Sequence, residues 1–268
     1  MTTNNLMKMD NVFIATGRLT KDASIGKTKA DKAFAKFVLA SDKKRARKHE
    51  ESQANFFPVE IYGDERVANC EESLTKGSSV AVVGSVRTES YKNAEGKTVH
   101  TWKVIADKCV PLPEGSMTGM NSIVFTGVLQ SDCKTAYTKG PEPVCVLDLF
   151  IKCLRSKSNG ADFLPTALYG KLGESLGRYL VENQPVTVRG RVDTGSYKNS
   201  EGATVFTWKV IADDIYLNGS PVEGAKEEPN SSEATAPTEA EEEADNGIDE
   251  ESGFIELPPE IDDGYFEF

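Results

Sequence analysis

The chain has 268 residues, a formal net charge of −11, five Cys and two His, a length that holds one large domain or two of roughly 100–150 residues. No apolar run reaches membrane-span length, and residues 1–10 carry no signal-like apolar segment. The cysteines (Cys70, Cys109, Cys133, Cys145, Cys153) form no Cys-x-x-Cys pair, so they read as small core residues of a reducing cytoplasm, with no metal or cofactor site expected.

In chain order, residues 11–19 alternate apolar and polar and end in a turn. Residues 33–40 alternate with Ala35, Phe37 and Leu39 on one side, and residues 56–62 do likewise. Residues 64–76 read as a short helix ending at Gly77. Residues 80–90 are a strong strand and residues 101–106 a short β-branched one. A Tyr-Lys-Asn-x-Glu-Gly loop joins these last two, with Gly96 supplying the permissive backbone. Three strands, a helix and two strands is the order of the five-stranded OB-fold barrel.

The pattern then repeats. Residues 80–109 (VAVVGSVRTESYKNAEGKTVHTWKVIADKC) and 186–215 (VTVRGRVDTGSYKNSEGATVFTWKVIADDI) agree at about two-thirds of their positions. Thr16-Gly17 recurs as Thr126-Gly127, and Phe56-Phe57-Pro58 as Phe163-Leu164-Pro165. The second helix is expected over 171–182, and Gly202 matches Gly96. The expected architecture is all-β: two tandem OB-fold barrels over 10–113 and 121–218, a linker over 114–120, and an acidic tail over 219–268. Residues 221–268 hold 17 Asp and Glu against one Lys, which leaves 30 basic and 25 acidic residues in the body. The negative charge therefore belongs to the tail and does not exclude a nucleic-acid partner.

Period-two alternation sorts the strand faces. Val80, Val82, Gly84 and Val86 point inward, with Arg87 and Tyr91 on the other side. In the second copy Val186, Val188, Gly190 and Val192 point inward, and Arg189, Arg191 and Tyr197 outward. Phe56 and Tyr62 lie opposite Phe57, Val59 and Ile61, and Phe163 and Tyr169 are their equivalents. Aromatic rings interleaved with cations, Lys36 among them, suit single strands. Bases stack on rings irrespective of sequence, at roughly 1–3 kcal/mol per base, and cations neutralise phosphates. Residues 42–49 (DKKRARKH), including Lys44, Arg45 and Arg47, form either a solvated loop or a strand-gripping finger. The counterpart over 152–157 is thinner. Trp102 and Trp208 share a side with Val104 and Val210, which favours core, and a stacking role stays open.

Asn11-Val12, Gly17-Arg18-Leu19-Thr20-Lys21-Asp22, the Phe-Phe-Pro to Tyr-Gly strand, Lys76-Gly77-Ser78 and the Ser-Tyr-Lys-Asn-x-Glu-Gly hairpin together resemble bacterial single-stranded DNA-binding protein. The resemblance covers residues 10–113 and, more weakly, 121–217. It implies an OB-fold, single-strand binding through Phe56, Tyr62, Tyr91, Phe163, Tyr169 and Tyr197, and four OB domains, here from a homodimer. Departures are Tyr91 and Tyr197 where the family often has Trp, and Asp193 where the first copy has Arg87.

The tail opens with Glu, Ala, Ser, Thr and Pro, too polar to fold, so a disordered linker is expected. Its tip mixes acids with apolar side chains. Family members end in an acidic tip with a terminal Phe that docks replication and repair proteins, which implies Asp262, Asp263, Tyr265, Phe266 and Phe268 as partner-binding residues. Glu267 replaces the usual Pro. The expected function is sequence-tolerant binding and protection of single-stranded DNA in replication, recombination or repair. The alternative is an OB adaptor of a replication or recombination enzyme. An enzyme is not expected, because the body shows no clustered carboxylates or His at metal-ligand spacing.

Overall fold

The computed structural model describes residues 11–43, 53–92, 98–116, 118–138, 145–155, 160–198 and 204–220. The first copy contains β1 (Val12–Leu19), β2 (Ser24–Lys27), β3 (Ala33–Asp42), β4 (Ala54–Tyr62), helix α1 (Asp64–Ala68), β5 (Ser79–Lys92) and β6 (Thr98–Pro111). The second contains β7 (Asn121–Leu129), β8 (Lys134–Tyr137), β9 (Cys145–Leu154), β10 (Ala161–Tyr169), helix α2 (Lys171–Leu176), β11 (Pro185–Lys198) and β12 (Thr204–Leu217).

In each copy five strands close on themselves. The first runs β1-β3-β4-β6-β5 and back to β1, with β4 and β6 parallel and the other pairs antiparallel. The second closes in the same way through β7, β9, β10, β12 and β11. Closure leaves no bare sheet edge within the ring. Two OB-fold barrels are therefore present, as the strand order predicts. The short strands β2 and β8 were not expected; each pairs only along one side of the strand that follows it.

The inward side chains are those picked by alternation. Phe57, Val59, Ile61, Val80, Val82 and Val86 are buried in the first barrel, and Val186, Val188 and Val192 in the second. The helices are shorter than predicted. Helix α1 has five residues and gives way to a 3₁₀ turn at Glu71–Ser73, and α2 has six before a 3₁₀ turn at Gly177–Tyr179. Helices this short depend on tertiary packing. In the first copy Val67, Cys70 and Leu74 of this segment are buried in the core. Burial, with the Cys70 thiol as neighbour, pushes the Cys109 thiol up to about 12.

The strands β5 and β11 bend at bulges after Val83 and Arg189. Gly84 and Gly190 sit at these bends, where an added Cβ would lie 2.1 Å from the Ile105 carbonyl oxygen and 2.2 Å from that of Ile211. The bend lets one strand serve both the barrel and a projecting hairpin arm.

The two barrels form one sheet system. Strand β1 pairs antiparallel with β7, with Phe13 opposite Ile123, so all 12 strands are linked. Each arm crosses to the other barrel, β5 against β10 and β11 against β4. A single buried cluster runs through both barrels. At its centre Trp102 and Trp208, 2% and 0% exposed, stack on each other with centroids 4.7 Å apart. Both tryptophans are core, which closes the question left open by the sequence.

Candidate nucleic-acid interface

In the first barrel the register places Phe34 beside Tyr62 and Lys36 beside Glu60 on the outer face. The Phe34 and Tyr62 rings lie 6.3 Å apart, and Lys36 Nζ stands 5.5 Å from the Phe34 centroid. The Tyr62 hydroxyl donates to Glu60 Oε2 at 2.7 Å. Lys36 and Lys103 pair with the same carboxylate at 2.9 and 3.1 Å, and Lys103 also reaches Glu89 at 3.3 Å. Burial works against ionising Glu60, but the bonds from Tyr62, Lys36 and Lys103 outweigh it and hold its carboxyl below the usual value. Burial and the bond to Glu60 push the Tyr62 phenol up, so it stays a donor. Burial would lower the Lys103 ammonium, yet Glu60 and Glu89 hold it above its ordinary value. The result is a half-buried aromatic pair with two cations held in place by one carboxylate.

In the second barrel Phe150 and Phe163 stack with centroids 5.6 Å apart, and Lys209 Nζ lies 5.7 Å from the centroid of the exposed Tyr169 ring. Arg191 pairs with Asp213 at 2.6 Å, and both line a shallow hollow with Tyr169 and Asp193. Lys209 corresponds to Lys103, whereas Asp148 stands where the first barrel has Lys36. Burial raises the Asp148 carboxyl, and Lys209 and Lys134 only partly offset this. The two faces share rings and one lysine but differ in the remaining charges.

Tyr91 and Tyr197 lie on the hairpin arms, each in the last turn-ward pairs of its arm, and Tyr91 is exposed. Phe56 and Phe163 are half-buried at the ends of the strands where the arms cross. Two cations chosen from the sequence stand elsewhere than expected. Arg87 points outward, as alternation requires, but its guanidinium is committed to Asp162 of the other barrel at 2.8 Å. Arg189 sits in the row of Val124 and Asp214 on the central sheet, paired with Asp214, not beside Tyr169. Alternation gives a residue's side of its own strand, while the neighbour on that side depends on which barrel crosses there. Lys44, Arg45 and Arg47, the loops carrying Gly96 and Gly202, and the tail residues Asp262, Asp263, Tyr265, Phe266 and Phe268 lie outside the described residues.

Sequence reasoning missed Phe34, Glu60, Lys103, Phe150, Asp148 and Lys209. For most of them a signal existed. Phe34 is two residues from Lys36, Lys103 alternates with Trp102, and Phe150 alternates with Leu149 and Ile151. Among the described residues no group of three or more His, Cys, Asp and Glu side chains is placed to hold a metal. No helix among them is long and apolar enough to cross a membrane.

Comparison with known proteins agrees with this geometry. The single-stranded DNA-binding protein of Streptococcus mutans serotype c is 29% identical over 99 residues, covering 37% of this chain and 60% of that protein. Single-stranded DNA-binding protein 1 of Staphylococcus aureus strain Mu50 is 33% identical over 99 residues, covering 37% of this chain and 63% of that protein. The chain thus matches somewhat under two-thirds of the length of these two relatives. The crystal structure of the wild-type single-stranded DNA binding protein from Thermus aquaticus superposes with a TM-score of 0.60 at 20% identity, over 85% of this chain and 97% of that one. A deletion mutant of the same Thermus protein gives 0.64 at 19% identity, over 81% and 97%. At such identity the likeness concerns the fold, and it extends over both barrels. The profile of the single-strand binding protein family matches twice, at residues 9–112 and 120–218, so this chain belongs to the single-strand binding protein family.

Proposed function

We propose that the chain binds single-stranded DNA without sequence preference and without chemistry, covering it during replication, recombination or repair in the cytoplasm. The observation that carries this reading is the pair of outer barrel faces, each with half-buried or exposed rings and a lysine against them: Phe34, Tyr62 and Lys36 in one, Phe150, Phe163, Tyr169 and Lys209 in the other. Rings accept any base, and cations respond to the backbone alone. Tyr91 and Tyr197 on the arms extend these faces. The tail, with Phe268, Phe266 and nearby acids, suits docking to a basic, apolar pocket on replication or repair proteins.

The test is anisotropy of a labelled dT oligomer titrated with the full chain, with duplex as competitor. Tight single-strand binding that weakens with salt is expected, with a log–log slope near −0.7 per phosphate contact. Tyr62→Ala and Tyr169→Ala should each weaken it by about 1–3 kcal/mol per stacked base. Equal affinity for duplex would overturn the reading.

A homodimer with four barrels is supported by the outer face of the central strands. Val12, Val110 and Val124 are 49%, 51% and 42% exposed there, beside Ile14 and Val83. Apolar side chains grouped on one sheet face favour a second such face. Light scattering should report twice the chain mass.

A further inference from the structure

The seam between the barrels is built twice, with different charges at its two ends. About the approximate two-fold axis through the tryptophan stack, Thr88 corresponds to Thr194, Phe163 to Phe56, Asp162 to Asn55, Arg155 to Lys43 and Arg87 to Asp193. The backbone bonds are the same at both ends. The Phe163 N–H donates to Thr88 Oγ1 and the Phe56 N–H to Thr194 Oγ1, each at 2.9 Å. The Thr88 N–H donates to Asp162 Oδ1 at 2.8 Å, and the Thr194 N–H to Asn55 Oδ1 at 2.9 Å. Arg155 donates to the Thr88 carbonyl at 3.0 Å, and Lys43 to the Thr194 carbonyl at 2.8 Å.

The charges do not repeat. At one end Asp162, 0% exposed, lies between Arg87 at 2.8 Å and Arg155 at 2.7 Å. At the other end Asn55 is neutral, and Lys43 pairs with Asp193 at 2.9 Å. We infer that this exchange is a pairing code: the seam surface of each barrel fits the other barrel and rejects a second copy of itself.

Two first-barrel surfaces placed together would set Arg87 against Lys43 and Asn55 at both ends, cations with no carboxylate. Two second-barrel surfaces would set Asp193 against the buried Asp162, with Arg155 alone to serve both. Like charges held out of water disfavour both arrangements, and such repulsion is how specificity between similar surfaces arises. The partner that fits is therefore the unlike barrel. The short connection over 112–120 supplies it from the same chain, so chains close on themselves and do not link through like barrels into open strings.

The test uses full-length variants in denaturant titrations, read by far-ultraviolet circular dichroism and by the exciton couplet of the stacked indoles, which reports the seam. Arg87→Asp creates at one end the contact of two second barrels. Asp193→Arg creates at the other the contact of two first barrels. Each is expected to lower the midpoint and to lose the couplet before the secondary structure. Arg87→Asp with Asp162→Asn converts the first end to the pattern of the second, and Asp193→Arg with Asn55→Asp does the reverse. Both double variants are expected to regain midpoint and couplet relative to their charge-reversed singles, as a coupled pair must. If Arg87→Asp does not fold, the cycle at Asp193, whose pair is partly exposed, decides. Doubles as weak as the sum of their singles, or singles like wild type, would overturn the code.

Discussion

Glu60 shows how one side chain sets the character of a binding face. Its carboxylate accepts from Tyr62 and holds Lys36 and Lys103, so two cations beside the rings are positioned but partly neutralised. Glu60→Gln keeps an acceptor for the phenol, frees Lys36 and leaves Lys103 with Glu89 alone. Tighter binding to dT oligomers at low salt is expected, with a log–log salt slope steeper by about 0.7 for each phosphate gained. Unchanged affinity and slope would remove Lys36 and Lys103 from the interface. The same substitution tests a pH effect. The folded carboxyl lies below its ordinary value of 4.5, so the stability it contributes is complete above that value and lost as pH falls through the depressed one. Acid denaturation curves of wild type and Glu60→Gln should therefore converge at the lowest pH and separate above it.

At the scale of elements, the bent strands β5 and β11 decide the architecture. A straight strand could serve the barrel or the arm, and the bulges after Val83 and Arg189 let it do both. Gly84 and Gly190 are required there because the crossing carbonyls occupy the place of a Cβ. Gly84→Ala must push Ile105 away, an overpacking cost of about 1–3 kcal/mol, measured as a lower midpoint in urea. Gly190→Ala should behave alike in the second barrel. The Val-x-Gly-x-Val pattern announced an inward glycine. That the glycine marks a bend appears only when the carbonyl of the partner strand stands against it.

For the molecule as a whole, the two barrels are joined through the β1–β7 pairing, the crossed arms and the stack of Trp102 on Trp208. Trp208 is fully buried, so Trp208→Ala removes a large side chain from the centre of the shared core. A loss of about 3–5 kcal/mol is expected in chemical denaturation. Because the stack belongs to both barrels, the unfolding should stay a single transition in wild type and split into two in the variant, seen as non-coincident tyrosine fluorescence and circular dichroism. A single transition in the variant would mean that the indole stack is not what couples the barrels.

The sequence by itself determined the two barrels, the inward side of nearly every strand and some of the rings that face outward, though not Phe34 or Phe150. These follow from period-two alternation and from the internal repeat, both local properties of the chain. It also placed the excess negative charge in residues 221–268. Only the tertiary structure decided which partners the outward side chains meet. Arg87 and Arg189 point outward as alternation requires, yet one meets Asp162, 75 residues away, and the other meets Asp214 on the central sheet. Trp102 and Trp208 look alike in two copies of one motif, and their burial comes from each other across a seam between the copies. Alternation fixes a direction relative to the strand's own pleat. What lies in that direction is set by long-range register and by the packing of one barrel on another.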